Sequence, residues 1–139
     1  EQVKVLYRVI GELESLGDSG ENISRILERE RVHNRKFDDD SISKILTLSA
    51  KVEKGYDVMV ENLKNATSLE GVKDISNAYA SEDDINETRN KLREEGILQI
   101  EHHTGNYQSL NYFLDMIAEL EAMGDFMINV SQAIVRNDN

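Results

Sequence analysis

The apolar residues of this chain recur at steps of three and four positions over four long stretches, which is the spacing of one face of a helix. The stretches predict helices over residues 1–32, about 40–65 and about 69–103, and a fourth helix near the C-terminal end. The third stretch is the least regular. Ser81 followed by Asp84 offers it a second start, but one continuous helix is the favoured interpretation. No segment alternates for long with the period of a strand, so the pattern predicts an all-α chain.

Polar residues predict where these helices begin and end. Proline is absent, so nothing forces a kink and other residues must supply the breaks. The acidic run 38–40 and Ser41 favour the start of the second helix, because such side chains cap free backbone amides and complement the helix dipole. Thr67 and Ser68 can cap the third helix, and residues 104–106 break the chain before the fourth. Four helices with short links predict an antiparallel bundle.

The composition narrows the classes of partner. The 139 residues fit one domain, and 27 acidic against 16 basic residues give a formal charge of −11. Such a charge repels nucleic acid and anionic lipid, whereas the carboxylates suit cations that take oxygen ligands. Cysteine is absent, which excludes disulfides and thiolate sites. No apolar run reaches the length of about 18 residues that suggests a membrane span, so we expect a soluble piece.

One short motif occurs twice. Glu-Leu-Glu-x-x-Gly-Asp stands at residues 12–18 and again at 119–125, which is 107 positions later. The agreement extends in the same frame to an Ile upstream and to an Asn and a Ser downstream of each copy. A glycine inside a helix costs about 1 kcal/mol relative to Ala, so its recurrence predicts a close approach of backbone or ligand at that point.

The spacing of the motif places its oxygen atoms in rows. Residues four apart on a helix project from one face about 6 Å apart, so each copy forms a ladder of two carboxylates and one amide. We expect both ladders to border the buried stripe of their helices. Carboxylates near a low-dielectric interior repel each other and need cations or protons. A bound metal is one supplier, and Arg or Lys on a neighbouring helix is the other.

At these residues the chain resembles the PhoU family. Its two copies, ending in Asn22-Ile23 and Asn129-Val130, look like the paired family signature built from an acidic residue, three residues and Asp. The resemblance implies that each copy lies on the last helix of a three-helix repeat and that its carboxylates bind metal, with iron and zinc as the expected ions. The metal ligands that it implies are Glu14, Asp18, Glu121 and Asp125, with Asn22 and Asn129 as further candidates.

The full family pattern has six helices, and two of them would have to precede the first copy. The chain starts at Glu1 without Met and enters a helical pattern at once, so we expect residues 1–139 to be one PhoU-like domain of four long helices from a longer protein. The chain is most similar to the cytoplasmic C-terminal region of bacterial sodium/phosphate cotransporters.

This resemblance implies a regulatory role in phosphate transport, without catalysis. The expected place is the cytoplasmic side of the inner membrane, and the expected partner is the membrane domain of the same chain or another phosphate transporter. Two alternatives remain open. One is a fragment of a free PhoU regulator of phosphate uptake, and the other is a purely structural bundle that dimerises without metal.

Three other groups are weaker candidates for chemistry. Glu30 and His33 have the Glu-x-x-His spacing of ferritin-like di-iron proteins, which need two such pairs. His102 and His103 precede a helix break, where an imidazolium would complement the helix C-terminus. The third group is a ladder on the second helix, which nearby lysines make an ordinary solvated face: Glu53, Asp57 and Glu61. No phosphate loop or nucleophile motif occurs, so no catalytic residue is predicted.

Overall fold

The computed structural model describes residues 2–33 and 37–135. Within these ranges the chain forms four α-helices, α1 (Gln2–Val32), α2 (Asp39–Ala66), α3 (Ser76–Glu101) and α4 (Tyr107–Ile134). The same ranges contain one isolated parallel bridge, between Val72 and Val135, and no strand. The predicted all-α class is confirmed. Glu1 and residues 34–36, which belong to the predicted first helix and the link after it, lie outside the described ranges.

Two helix starts have side-chain caps. Asp38 caps α2, because its Oδ1 accepts a hydrogen bond of 2.7 Å from the backbone N–H of Ser41, as the acidic run predicts. Asn106 caps α4 in the same manner by accepting a bond of 3.1 Å from the backbone N–H of Ser109. Each cap satisfies one of the amides that a helix leaves without a partner in its first turn.

The start predicted for the third helix is wrong. Thr67 and Ser68 were expected to open it, whereas α3 begins at Ser76. The two hydroxyls donate to carbonyl oxygens in the last turn of α2, at 2.8 and 2.7 Å, and so they close that helix. Gly71, with a φ of 68°, then turns the chain in a conformation that glycine adopts readily. One continuous helix follows, as predicted, because Ser81 lies inside α3.

The fourth helix is the centre of the arrangement. α4 packs against all three other helices, whereas no Cα atom of α1 comes within 8 Å of α2 or α3. The side-chain contacts show that α4 runs antiparallel to α1 and α3 and parallel to α2. The molecule is therefore a helical bundle, as predicted, but it consists of a three-helix bundle of α2, α3 and α4 with α1 on the outer side of α4.

The three helices of this bundle meet around Ile85 of α3, which is 1% exposed. Gly55 of α2 and Gly124 of α4 lie opposite this side chain. A Cβ atom built at either glycine would lie 3.3 Å from Ile85 Cδ1, which is tighter than usual van der Waals contact. The absence of a side chain at both positions lets the three helices approach one another here.

A buried polar network holds one end of the same bundle. Asn62 of α2, only 2% exposed, donates to Asn77 Oδ1 of α3 at 3.2 Å and to Ser131 Oγ of α4 at 3.1 Å. Asn77 Nδ2 donates back to Asn62 Oδ1 at 3.1 Å. Each helix thus contributes one polar side chain, and the donors and acceptors satisfy one another, with Asn62 and Ser131 buried and Asn77 at the exposed edge.

Candidate carboxylate site

The two copies of the repeated motif face each other across the antiparallel pair of α1 and α4. Asn129 Nδ2 of α4 donates to Glu12 Oε2 of α1 at 3.1 Å. Asn22 Nδ2 of α1 donates to Glu119 Oε1 of α4 at 3.2 Å. Because both Glu residues and both Asn residues are 107 positions apart, one contact is the counterpart of the other. The repeat in the sequence has therefore become a local two-fold relation in the structure.

We call these two contacts the clasps. They use two glutamates to which the metal hypothesis gave no role and two asparagines that it counted as further candidate ligands. Asn22 and Asn129 were further candidate ligands, and the structure shows both donating to a glutamate of the opposite helix. Glu12 and Glu119 belong to the motif, but no role for them was predicted. All four side chains are part-buried, where a hydrogen bond to a charged group contributes more than it does at an open surface.

The carboxylates of Glu121 and Asp125 lie on the part of α4 that faces α3. Both are part-buried, in agreement with the expectation that this ladder borders the core. Arg89 of α3 reaches Glu121, with its Nη2 3.5 Å from Oε1. Asp125 lies close enough to both Glu121 and Glu82 of α3 for its charge to raise the pKa of each. Three carboxylates and one guanidinium therefore meet between the two helices.

The surroundings favour the protonated form of two of these carboxyls. Burial raises the pKa of Glu82, and the neighbouring charges of Asp125 and Asp83 raise it further. Burial also raises the pKa of Glu121, and Asp125 adds to the effect while Arg89 opposes it. The cluster thus holds more negative charge than its single guanidinium offsets, and it would gain from a proton or a cation.

The α3 half of this cluster was not predicted from the sequence. Glu82, Asn86 and Arg89 are spaced by four and three residues and so share one face of α3, next to the buried Ile85. Two atoms of this group, Asn86 Oδ1 and Arg89 Nε, are buried without a hydrogen-bond partner. The spacing was available in the sequence, but the irregular apolar pattern of this helix hid which of its faces is buried.

The first ladder lies in different surroundings. The sequence predicts that Glu14 and Asp18 border the buried stripe of α1, and this is wrong, because both residues are exposed. The glycines of the two copies differ in the same way. A Cβ atom at Gly124 would contact Ile85, as the recurrent glycine predicts, whereas a Cβ atom at Gly17 would meet nothing within 4 Å. The difference arises because α4 is covered by α2 and α3 and this face of α1 is not.

The ligand set of a metal is therefore only partly assembled. In the described ranges no group of three or more His, Asp or Glu is arranged to hold one ion. Glu82, Glu121 and Asp125 offer the oxygen atoms that hard cations prefer, and Asn86 adds a carbonyl oxygen that lacks a partner. A cavity of about 10 Å³ is lined by Glu82 but not by Asn86, Glu121 or Asp125, so it offers no shared space for an ion among these residues. Glu82, Glu121 and Asp125 therefore form a carboxylate cluster without the arrangement of a cation site, and Glu14 with Asp18 would need ligands from elsewhere.

The weaker candidates have ordinary roles. His33 Nδ1 lies 2.9 Å from the backbone oxygen of Arg29 and 3.1 Å from the hydroxyl of Tyr112, and Glu30 accepts from the backbone N–H of Phe37. His102 is the C-cap residue of α3, as its place in the sequence predicts. The ladder on the second helix is solvated as predicted, since all of its members are exposed: Glu53, Asp57 and Glu61.

No helix in the described ranges is both long enough and apolar enough to cross a membrane. A scan against protein-family models and searches of curated proteins and of solved structures found no match to this chain.

Proposed function

We propose that this chain is a regulatory domain of a phosphate-transport system, without catalytic turnover. Its proposed place is the cytoplasmic side of the inner membrane, in contact with the membrane domain of a sodium/phosphate cotransporter. The observation that carries the proposal is the pair of clasps. The motif on which the PhoU resemblance rests forms the α1–α4 interface twice, by the same pair of side chains. A chance repeat would give no reason for this two-fold arrangement.

The proposed regulatory element is the carboxylate cluster between α3 and α4. When it holds a cation, the ion offsets the repulsion among Glu82, Glu121 and Asp125, and iron or zinc is the proposed ion. Without a cation, Arg89 and protonation must offset the same charge. The spacing of α3 and α4 would respond to occupancy, because these side chains lie between the two helices. Glu14 and Asp18 are proposed as the equivalent ligands on α1.

Elemental analysis tests the metal part of the proposal. Protein purified without chelator should retain at least about 0.2 metal ion per chain, and its Tm should rise when iron, zinc or manganese is added, because bound ligand stabilises the folded state. Asp125→Asn should abolish both effects. Glu53→Gln, at an exposed position of α2, should leave them intact. A metal-free chain whose Tm ignores all three ions would refute this part.

A second function is favoured by a specific observation, the ion pair between Arg89 and Glu121. If the guanidinium alone offsets the cluster, the chain is a structural interaction bundle. Glu121→Gln separates the two cases. The metal proposal expects Glu121→Gln to lower the Tm chiefly in metal-loaded protein, with little change after EDTA. The structural reading expects the same loss of stability with and without EDTA.

Phosphate uptake tests the regulatory part. The domain is expressed in bacteria that lack their own PhoU regulator, and entry of labelled phosphate is measured at high external phosphate. We expect the intact domain to lower the uptake rate. The double variant Asn22→Ala, Asn129→Ala should fail to lower it, because it loses both clasps. Equal uptake with and without the domain would count against regulation. If the domain lowers uptake in bacteria without a sodium/phosphate cotransporter, it acts as a fragment of a free PhoU regulator.

A further inference from the structure

α1 has a second apolar face, which we call the seam. Successive residues of the seam are three and four positions apart in strict alternation over seven intervals. This spacing is the seven-residue repeat of a coiled coil. Five large side chains of the seam are between 38% and 64% exposed. The seam consists of Val3, Leu6, Ile10, Leu13, Gly17, Gly20, Ser24 and Leu27.

The seam is separate from the face that packs on α4. The residues of α1 buried against the bundle are Val9, Ser19 and Ile26. Glu12 and Asn22, the α1 side chains of the clasps, project from the same side. At 3.6 residues per turn, the centre of the seam lies roughly 120° around the helix from the centre of that face. A partner can therefore cover the seam without displacing α4.

The counterpart of the seam on α4 is buried. The residues 107 positions later occupy the same places on α4, and α2 and α3 cover them. Seven of these eight positions are buried and the last is part-buried: Leu110, Phe113, Ile117, Leu120, Gly124, Met127, Ser131 and Ile134. The same type of face is therefore a packing surface in one copy of the repeat and open in the other.

The two faces differ in width. Beside the seam, α1 has Tyr7 and Glu21, both exposed, where α4 has the apolar Leu114 and Ile128. The apolar face of α4 is wide enough for two helices. The seam of α1 is the narrower stripe of a coiled coil, which one helix covers. The occupant is thus expected to be a single helix.

We propose that this helix is α1 of a second copy, in antiparallel orientation. The side chains of the seam are large from Val3 to Leu13 and small from Gly17 to Ser24. A copy that runs in the opposite direction therefore places its large side chains against the small ones. With the two-fold axis between Ile10 and Leu13, Leu6 packs on Gly17 of the copy and Val3 packs on Gly20. A Cβ atom at either glycine would meet nothing within 4 Å, so both sites are open. Such an interface is self-complementary and closes as a dimer.

The charges of α1 favour the same orientation. The helix has five basic and six acidic residues, so its own surface is nearly neutral although the chain carries −11. In the antiparallel register, Glu21 of the copy, which borders the seam, lies within one turn of Lys4. A parallel pair would instead separate Lys4 from Glu21 of the copy by about 25 Å along the helix axis, too far for the two charges to pair.

Sedimentation velocity over a range of concentrations tests the dimer. We run it in EDTA, so that its outcome does not depend on metal. The intact chain should shift from monomer to dimer mass as concentration rises, and Leu6→Glu should weaken the association at least about tenfold, because a buried charge lacks a partner. Leu98→Glu, on an exposed position of α3, is the matched control and should not change it. A chain that stays monomeric to about 1 mM would overturn the proposal.

Cysteine cross-linking tests the orientation, since the chain has no cysteine of its own. A mixture of the Leu6→Cys and Gly17→Cys chains should form a disulfide-linked dimer under mild oxidation, while each chain alone should not. Cross-linking of Leu6→Cys with itself would show a parallel pair and overturn the register. Lys4→Glu should weaken the dimer and added Glu21→Lys should restore it. A dimer insensitive to Leu6→Glu would place the interface elsewhere.

Discussion

The paired glycines give a prediction in which one substitution has opposite effects at two equivalent positions. Gly17 and Gly124 occupy the same place in the two copies of the motif, and each lies inside a long helix. Replacing either by Ala removes the same helix-propensity penalty, roughly 0.5–1 kcal/mol. The surroundings of each glycine decide the rest of the change in the free energy of unfolding. The new methyl group meets nothing within 4 Å at Gly17, whereas at Gly124 it lies 3.3 Å from Cδ1 and Cγ2 of Ile85.

The cost at Gly124 follows from the burial of Ile85. That side chain is 1% exposed and also faces Gly55, so it cannot swing towards solvent to make room. Overpacking of this kind costs about 1–3 kcal/mol. Gly124→Ala should therefore change the free energy of unfolding by between about 0 and −2 kcal/mol, while Gly17→Ala should raise it by up to about 1 kcal/mol.

Urea denaturation followed by circular dichroism measures both values, at a concentration where sedimentation shows monomer. Gly11→Ala is the control, because its methyl group also meets nothing within 4 Å and the position lies off the seam. It should match Gly17→Ala in stability, and Gly17→Ala alone should weaken the dimer. If Gly17→Ala destabilised the monomer as much as Gly124→Ala does, the open surroundings inferred for Gly17 would be wrong.

Two further predictions concern the clasps and the carboxylate cluster. In a double-mutant cycle of Glu12→Ala and Asn129→Ala, urea denaturation should give a coupling of about 1 kcal/mol, and a coupling near zero would mean that the bond does not form in solution. Because the pKa of Glu82 is raised above its ordinary 4.5, the folded state binds that proton more tightly than the unfolded state. The charged form therefore destabilises the fold at neutral pH, and this loss is relieved as pH falls through the raised pKa. Glu82→Gln should thus stabilise the chain at pH 7 and progressively less towards pH 4, whereas Glu87→Gln, at an exposed position, should show no such trend.

The helices could be predicted from sequence where one apolar stripe dominates. The steps of three and four in α2 and α4, together with the capping role of Asp38, placed both helices closely. α3 was harder, since carboxylates and amides interrupt its stripe, and its start was assigned to hydroxyls that close α2. A Ser or Thr at a helix boundary can bond backwards or forwards, and the local sequence does not distinguish the two.

The candidate site shows a different limit. The repeat identified Glu14 and Glu121 as equivalent, and equivalence in sequence suggested equivalent burial. The structure separates them, because only α4 has helices on that side. Periodicity shows which residues share a face, but it does not show what covers the face. The clasps were hidden for a similar reason, since Asn22 and Glu119 are 97 positions apart and meet only when α1 docks.

The position of α1 also affects how the molecule assembles. α2, α3 and α4 follow one another along the chain, so their contacts span fewer positions, such as the 69 between Asn62 and Ser131. In the described part of the chain, α4 is the one helix on which α1 packs, through contacts such as that between Glu12 and Asn129, 117 positions apart. Contacts this distant carry a larger loop-closure entropy and form late in folding. α1 should therefore be the last helix to dock and the first to detach, which makes it the segment whose amide hydrogens exchange most readily with solvent.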